Sequence, residues 1–404
     1  MKSLTLHEFH RGLNAGFIEV NGMEVVEHCG EPLAEHAALR EAAGLLDLSC
    51  RSRLCLTGAD RQKFLNGQVT NNVKDLKVGE GCYAALVSAK GKIQSDLNIY
   101  VLENEILLDF EPGYSAAVAQ RLEKYIIADD VQVVDVAPHY GLLSVQGPKA
   151  VEAIVSLPLF RPTPDPREGA LPPRGLTPSQ EGNGQEVGES QIDSPAGSGF
   201  VHVPAKPMHF VSIKNAKLGE IYWMNLPRLG TSGFDVFVPT ASLGVVAEQL
   251  IYAVKAVGGR PCGWQAMETA RIEAGIPRFG LDMDETNLAP EAGIEPRAIS
   301  YSKGCYIGQE VIARIRTYGQ VAKSLQGLRF ADGTKVLPKQ GERLYLDDKE
   351  IGYITSAAAS TALRANIALG YVRREHNKIG TELVVRTDAG DLAARIVPLP
   401  FTNG

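Results

Sequence analysis

Cys305 has the most distinctive surroundings of the side chains that could do chemistry in this sequence. Residues 303–310 read Lys-Gly-Cys-Tyr-Ile-Gly-Gln-Glu, so a glycine stands close to the thiol on each side. Glycine lets the backbone turn sharply, which favours an accessible sulfur. If a helix begins at Tyr306, its N-terminal dipole and the ammonium of Lys303 would favour the thiolate of Cys305. We therefore predict a reactive or ligand thiol, against the alternative of a buried structural cysteine.

Composition excludes several classes of protein. The six cysteines include no Cys-x-x-Cys pair, which argues against a zinc ribbon or a disulfide framework. The formal charge of −6 argues against bulk nucleic-acid binding. No stretch of about 18 uncharged apolar residues occurs, and residues 1–16 lack the apolar centre of a secretory signal. We expect a cytoplasmic protein with no membrane partner.

The sequence predicts both strands and helices as the elements that position any site. A chain of 404 residues predicts two or three domains. Short apolar runs bounded by turn residues predict strands at 52–56, 82–88, 93–102 and 105–110. Apolar residues at helical spacing predict helices at 60–65, 114–127, 243–257 and 265–274.

Two regions differ from this mixed pattern. Residues 158–199 are rich in Pro, Gly, Ser, Glu and Gln, and we predict a disordered insertion there because few apolar groups could offset the cost of ordering. After residue 320, six short strand-like runs alternate with Gly, Asp and Asn, which predicts a small antiparallel barrel. We place a domain boundary near residue 320, giving domains at 1–320 and 321–404.

Residues 303–310 resemble a signature of the YgfZ branch of the glycine cleavage T-protein superfamily, a branch of folate-binding proteins linked to iron–sulfur cluster assembly and repair. Residues 65–71, 144–148 and 271–275 are similar to further motifs of the superfamily. The resemblance implies an α+β fold, in which mixed α/β lobes form a cloverleaf around a central folate cavity and a C-terminal antiparallel β-barrel follows. It also implies tetrahydrofolate, or a derivative of it, as the cofactor.

The same resemblance implies the site residues. Asp96 matches an acid near the reactive nitrogen of folate, whereas Ser95 and Lys92 depart from the family's pattern and disfavour retained one-carbon chemistry. Tyr83 and Tyr100 match aromatic positions that line the folate in the family. Asp235 matches a second acid, and Arg271 matches a position that can meet the anionic tail of folate. These side-chain types are also the ones that the chemistry of folate requires. Taken singly, each is more often a core or surface residue.

Two functions follow from the resemblance. The preferred one is a tetrahydrofolate-binding factor that assists iron–sulfur cluster assembly or repair, with Cys305 as its functional thiol and iron–sulfur proteins or their assembly machinery as partners. The alternative is an aminomethyltransferase that moves a one-carbon unit from a lipoate-bound intermediate to tetrahydrofolate, with help from Asp96. A scaffold without a ligand is the third and least supported interpretation.

Overall fold

The computed structural model describes residues 1–157 and 203–401. The predicted insertion at 158–199 lies outside these residues. Among the described residues, none of the helices has the length and apolar character needed to cross a bilayer.

The described residues form nine α-helices, and all four helices predicted from the sequence are present. They are α1 His7–Gly12, α2 Pro32–Glu41, α3 Arg61–Gln68, α4 Ser115–Glu123, α5 Ala150–Val155, α6 Leu243–Ala256, α7 Trp264–Glu273, α8 Glu295–Ala298 and α9 Gln309–Tyr318.

The strands of the N-terminal part form one hairpin and two larger sheets. They are β1 Gly16–Val20, β2 Met23–His28, β3 Gly44–Asp47, β4 Ser52–Thr57, β5 Gly81–Val87, β6 Ile93–Val101, β7 Ile106–Phe110, β8 Gln132–Asp135, β9 Tyr140–Gln146, β10 Phe210–Asn215, β11 Gly219–Asn225, β12 Gly233–Pro239 and β13 Arg260–Pro261. The six-stranded sheet has the order β10-β11-β12-β9-β3-β13, and the five-stranded sheet has the order β5-β6-β7-β4-β8.

These two sheets stack as layers with helices on the outside. One apolar cluster joins α5 and α6 to the outer face of the six-stranded sheet, and another joins α3 and α4 to the outer face of the five-stranded sheet. A third cluster fills the space between the sheets and includes residues of α7. Because side chains alternate along a strand, every second residue of β6 faces this inner layer.

The C-terminal part is a closed barrel of six strands, one for each predicted run. They are β14 Lys323–Phe330, β15 Arg343–Leu346, β16 Lys349–Ser360, β17 Ala365–Arg373, β18 Glu382–Thr387 and β19 Gly390–Val397, and they close in the order β14-β17-β16-β15-β18-β19. Closure pairs each strand on both sides and leaves no exposed sheet edge. The predicted α+β class with an antiparallel barrel is therefore confirmed.

Polar contacts attach the barrel to the inner layer. Thr355 and Ser356 on β16 each donate a hydrogen bond of 2.6 Å to Oδ1 of Asp282. Oδ2 of Asp282 accepts a hydrogen bond from Arg271 at the end of α7. The barrel thus braces the helix that reaches the candidate site.

Candidate functional site

A cavity of about 480 Å³ opens beside the apolar layer between the two sheets, a volume within the usual range for small-molecule sites. Apolar side chains such as Leu48, Leu229 and Met267 line part of it. Among the described residues its wall also carries three acids and five arginines: Asp96, Glu111, Glu268, Arg51, Arg228, Arg271, Arg278 and Arg297.

Asp96 lies on the cavity wall, where strand β6 places it on the inner face. The hydroxyl of Tyr83 donates a 2.9 Å hydrogen bond to its Oδ2, while Oδ1 is buried without a hydrogen-bond partner among the described residues. Burial, followed by the charge of Glu111, raises the pKa of Asp96 to about 6 against the opposing effects of Tyr83 and Arg51. A carboxyl group with such a pKa exchanges protons readily near neutral pH.

Tyr83 stands at the start of β5 and also lines the cavity. The guanidinium of Arg297 lies 4.8 Å from its ring centroid, close enough for a cation–π contact. Arg297 itself is exposed, and no carboxylate of the described residues lies within ion-pair distance of it. It is therefore an exposed cation on the cavity wall that contacts the ring of Tyr83.

Tyr100, predicted to line a folate slot, is not among the residues that line the cavity. Its side chain is fully buried and packs edge-on against Phe210, with 6.0 Å between the ring centroids. It shares the inner face of β6 with Asp96, but β10 covers it there. Tyr100 is a core residue rather than a ligand contact.

Asp235, predicted to accept hydrogen bonds from the ligand, is likewise not on the cavity wall. Ser144 donates to its Oδ1 at 2.7 Å, and Nε of Arg228 donates to its Oδ2 at 2.9 Å. The side chain of Asp235 is fully buried behind these partners. It anchors Arg228, and Arg228 is the group that reaches the cavity.

Arg228 begins a chain of buried charges that the sequence did not reveal. Its Nη2 donates 2.7 Å to Oδ2 of Asp109, and Nε of Arg51 donates 2.8 Å to Oδ1 of the same carboxylate. Burial would raise the pKa of Asp109, but the two guanidinium groups hold it well below its usual range. Asp109 is fully buried and is the one carboxylate among the described residues that both arginines share.

Glu111 ends this chain at the cavity wall. It follows β7 directly and is only 7% exposed. Its Oε1 accepts a 2.6 Å hydrogen bond from Arg51, whereas Oε2 is buried without a hydrogen-bond partner among the described residues. Buried acceptors are normally satisfied. Oε2 of Glu111 lies 3.8 Å from Nε of Arg278, and Oδ1 of Asp96 has no hydrogen-bond partner among the described residues.

Arg271 reaches the cavity wall, but its charge is already neutralised. It is 4% exposed and donates to Asp282 and, at 2.9 Å, to Glu268. Burial would lower the pKa of Arg271, and these two carboxylates raise it instead. Its guanidinium is therefore held by carboxylates of the protein, in contrast to Arg297, for which no ion pair occurs among the described residues.

Cys305 is exposed and is not part of the cavity wall. Helix α9 begins at Gln309 rather than at Tyr306, so its dipole does not act on the thiol as predicted. The ammonium of Lys303 binds backbone carbonyls of residues 66–71 instead. No group of three or more potential His, Cys, Asp or Glu metal ligands occurs in the described ranges 1–157 and 203–401.

Two family models match the chain. The GCVT N-terminal domain matches residues 6–159 and 200–303, and the glycine cleavage T-protein C-terminal barrel domain matches residues 323–403. Proteins named aminomethyltransferase are similar over the whole chain. The one from Halalkalibacterium halodurans is 27% identical over 99% of this chain and 98% of its own, and the one from Ralstonia pickettii is 28% identical over 98% and 96%.

A solved structure has the same fold. The crystal structure of glycine cleavage system aminomethyltransferase T from Bartonella henselae superposes with a TM-score of 0.80, covering 100% of this chain and 98% of that one at 21% identity. The resemblance to the superfamily seen in the sequence is confirmed. Because the two family models together match most of its length, the chain belongs to the glycine cleavage T-protein family.

Proposed function

We propose that this chain is a tetrahydrofolate-dependent aminomethyltransferase, which was the alternative interpretation of the sequence. Relatives with that name align with nearly its full length. The observation that carries the proposal is the state of Asp96, whose carboxyl group combines a free buried oxygen with a pKa of about 6 beside a ligand-sized cavity.

The residues on the wall match the parts of tetrahydrofolate. Tyr83 offers an aromatic face for the pteridine. The unpaired oxygens of Asp96 and Glu111 offer acceptors for its N–H groups. Arg297 on the cavity wall offers a cation for the glutamate carboxylates.

Bound tetrahydrofolate supplies the nucleophilic nitrogen that accepts the one-carbon unit. Asp96 would take up a proton from that nitrogen, since its pKa lies close to neutral pH. Tyr83 holds the carboxyl group in place through Oδ2 and leaves Oδ1 free for the ligand.

The two departures from the family's pattern do not face the ligand space. Ser95 is fully buried, and its hydroxyl donates to the backbone carbonyl of Asp96. The ammonium of Lys92 donates 2.8 Å to the carbonyl of Thr286. Neither side chain lines the cavity, so neither substitution disfavours one-carbon transfer.

A reconstituted glycine cleavage reaction tests the proposal. The chain would replace the aminomethyltransferase in a mixture of the other purified component proteins, with tetrahydrofolate as acceptor. We expect turnover that requires both the chain and tetrahydrofolate. If the complete mixture shows no turnover, although a known aminomethyltransferase restores it, the proposed activity is wrong.

Tyr83→Phe is expected to shift the pH profile of the transfer. The hydrogen bond from Tyr83 stabilises ionised Asp96 and lowers its pKa, so its loss raises that pKa further above the ordinary value. The acid limb of the rate, where Asp96 becomes protonated, should move from about pH 6 to higher pH. Rates measured from pH 5 to 9 test this shift.

Tyr252→Phe is the matched control for that profile, because Tyr252 lies on α6 and is 80% exposed. Its acid limb should coincide with that of the unmodified chain. An acid limb of Tyr83→Phe that stays in place or moves to lower pH would contradict the assigned contact.

Assistance in iron–sulfur cluster assembly or repair is a second candidate, which the exposure of Cys305 favours. Cys305→Ala separates the two functions. Under the transferase proposal, its turnover stays within about twofold of the unmodified chain, since the thiol is not on the cavity wall. If the variant keeps turnover but no longer restores a strain poor in iron–sulfur enzymes, the second function is supported.

A further inference from the structure

The Lys-Gly-Cys-Tyr segment around Cys305 packs against the turn that follows α3. The ammonium nitrogen of Lys303 lies 2.6 Å from the carbonyl oxygen of Asn66, 2.6 Å from that of Val69 and 2.7 Å from that of Asn71. Lys303 is only 8% exposed, so no bulk water competes for these contacts. The three carbonyls form a cage around one cation.

The cage fits an ammonium group better than any neutral side chain. An ammonium has three N–H donors, and each donor here meets its own carbonyl. Two of the carbonyls, those of Asn66 and Val69, belong to the C-terminal end of α3, where the helix dipole favours a cation. Burial lowers the pKa of Lys303 to about 8, which leaves the ammonium as the main form at pH 7.

The caged turn holds part of the cavity wall. Asn71, its last residue, lines the cavity and donates through Nδ2 to the carbonyls of Tyr83 at 2.8 Å and Arg297 at 3.0 Å. Thr70 beside it donates 2.6 Å to the carbonyl of Ala298. The turn therefore ties β5 to α8, and with them the two side chains that we assign to the ring and the tail of the ligand.

Other residues of the segment also serve this contact. The amide of Ile307 donates 3.1 Å to the carbonyl of Gly67. Gly308 has a φ of +84°, and a Cβ there would lie 2.5 Å from the carbonyl oxygen of Ser88. Only glycine allows so close an approach. The glycine at position 308 is thus explained by packing against the loop before β6, and the Ile307 amide by its contact with the end of α3.

We propose that Lys303 is a positioning residue for the folate site: its ammonium, held by three carbonyls, fixes residues 66–71 so that Asn71 keeps Tyr83 and Arg297 in their binding positions. The inference rests on the proposed function, because folate binding is one of its two measurements. The other measurement, amide hydrogen exchange in residues 66–73, does not depend on a ligand.

The test is chemical rescue of Lys303→Ala in the full chain. n-Propylamine replaces the atoms that this substitution removes, from Cγ to Nζ, and is a cation at pH 7 because alkyl ammonium groups have a pKa of about 10.4. We expect Lys303→Ala to bind tetrahydrofolate about tenfold or more weakly in calorimetric titrations and to exchange amides faster in residues 66–73. Propylammonium should reverse both effects in a saturable way, whereas 1-propanol, of similar shape but neutral, should reverse neither.

Lys92→Ala is the matched control, because Lys92 donates to a single carbonyl and lies outside the cavity wall. Its affinity should equal that of the unmodified chain and should not respond to propylammonium. If Lys303→Ala is not folded by circular dichroism, Lys303→Met keeps the shape of the side chain without its charge and should show the same loss of affinity.

Two results would overturn the inference: unchanged affinity in the folded Lys303 variant, or weakened affinity and fast exchange that propylammonium does not reverse. If the unmodified chain binds no tetrahydrofolate, the proposed function is wrong. In that case amide exchange in Lys303→Ala still tests whether the ammonium holds residues 66–71 in place. Slower exchange on addition of propylammonium supports the inference, and unchanged exchange overturns it.

Discussion

Asp96→Asn is expected to lower the rate of one-carbon transfer by about 10²- to 10⁴-fold, the usual contribution of a positioned general base. The asparagine keeps the size of the side chain and can still accept the hydrogen bond from Tyr83. It cannot take up a proton near neutral pH. The turnover number in the reconstituted glycine cleavage reaction is the quantity to measure, together with the affinity for tetrahydrofolate.

Asp135→Asn provides the control, because Asp135 lies on β8 of the same sheet but is exposed. It should have the turnover number of the unmodified chain. If Asp96→Asn binds tetrahydrofolate and its turnover number falls by less than about threefold, Asp96 does not perform the proton transfer that we assign to it.

Asp109→Ala is expected to lower the free energy of unfolding by about 3–5 kcal/mol, because hydrogen bonds to a buried carboxylate are lost. The substitution removes the buried acceptor of hydrogen bonds from Arg51, Arg228 and Asn98. Glu111 still pairs with Arg51 and Asp235 with Arg228, so the expected loss comes from these three hydrogen bonds rather than from an unpaired charge. Urea unfolding at pH 7, followed by circular dichroism, measures the loss. Asp391→Ala on the exposed surface of the barrel is the control, for which we expect a change within about 0.5 kcal/mol.

The same carboxylate should make stability depend on pH. Because the pKa of Asp109 is lower in the folded chain than in the unfolded one, its stabilisation is complete above the unfolded value of about 3.9. It is lost as the pH falls from there towards the lower folded value. A loss at pH 7 of less than about 1 kcal/mol in Asp109→Ala would show that Glu111 and Asp235 alone are enough to stabilise the two arginines.

The architecture was predictable because it depends on local patterns. In the barrel, short alternating runs separated by turn residues determined all six strands within a few residues of their ends. In the inner layer, the period of two along β6 was enough to place Asp96 on one face. That this face borders a cavity could be seen only in the structure.

The differences at the site between prediction and structure have one physical cause, which is pairing between residues distant in the sequence. Whether Tyr100 borders a cavity or a core depends on Phe210, which β10 brings to it. Whether Asp235 is free to bind a ligand depends on Ser144, which β9 brings beside it. No local pattern carries that information.

The sequence contains only a weak indication that Arg51 and Glu111 belong to the site. Arg51 precedes β4 and Glu111 follows β7, and these two strands are hydrogen-bonded neighbours in the five-stranded sheet. Charged residues at the ends of neighbouring strands often lie close together. Which strands are neighbours is known only once the strand order is known. For Cys305, the glycines beside it predicted an accessible thiol, and the thiol is exposed. Gly308 has a second role, since it packs against the carbonyl of Ser88.

The most direct test of the account is the crystal structure of this chain with tetrahydrofolate bound. We expect the pteridine in the cavity beside Tyr83, with its N–H groups within hydrogen-bond distance of the free oxygens of Asp96 and Glu111, and the glutamate tail at Arg297. A complex in which the folate lies outside this cavity, or in which its ring contacts neither carboxylate, would contradict the central claim.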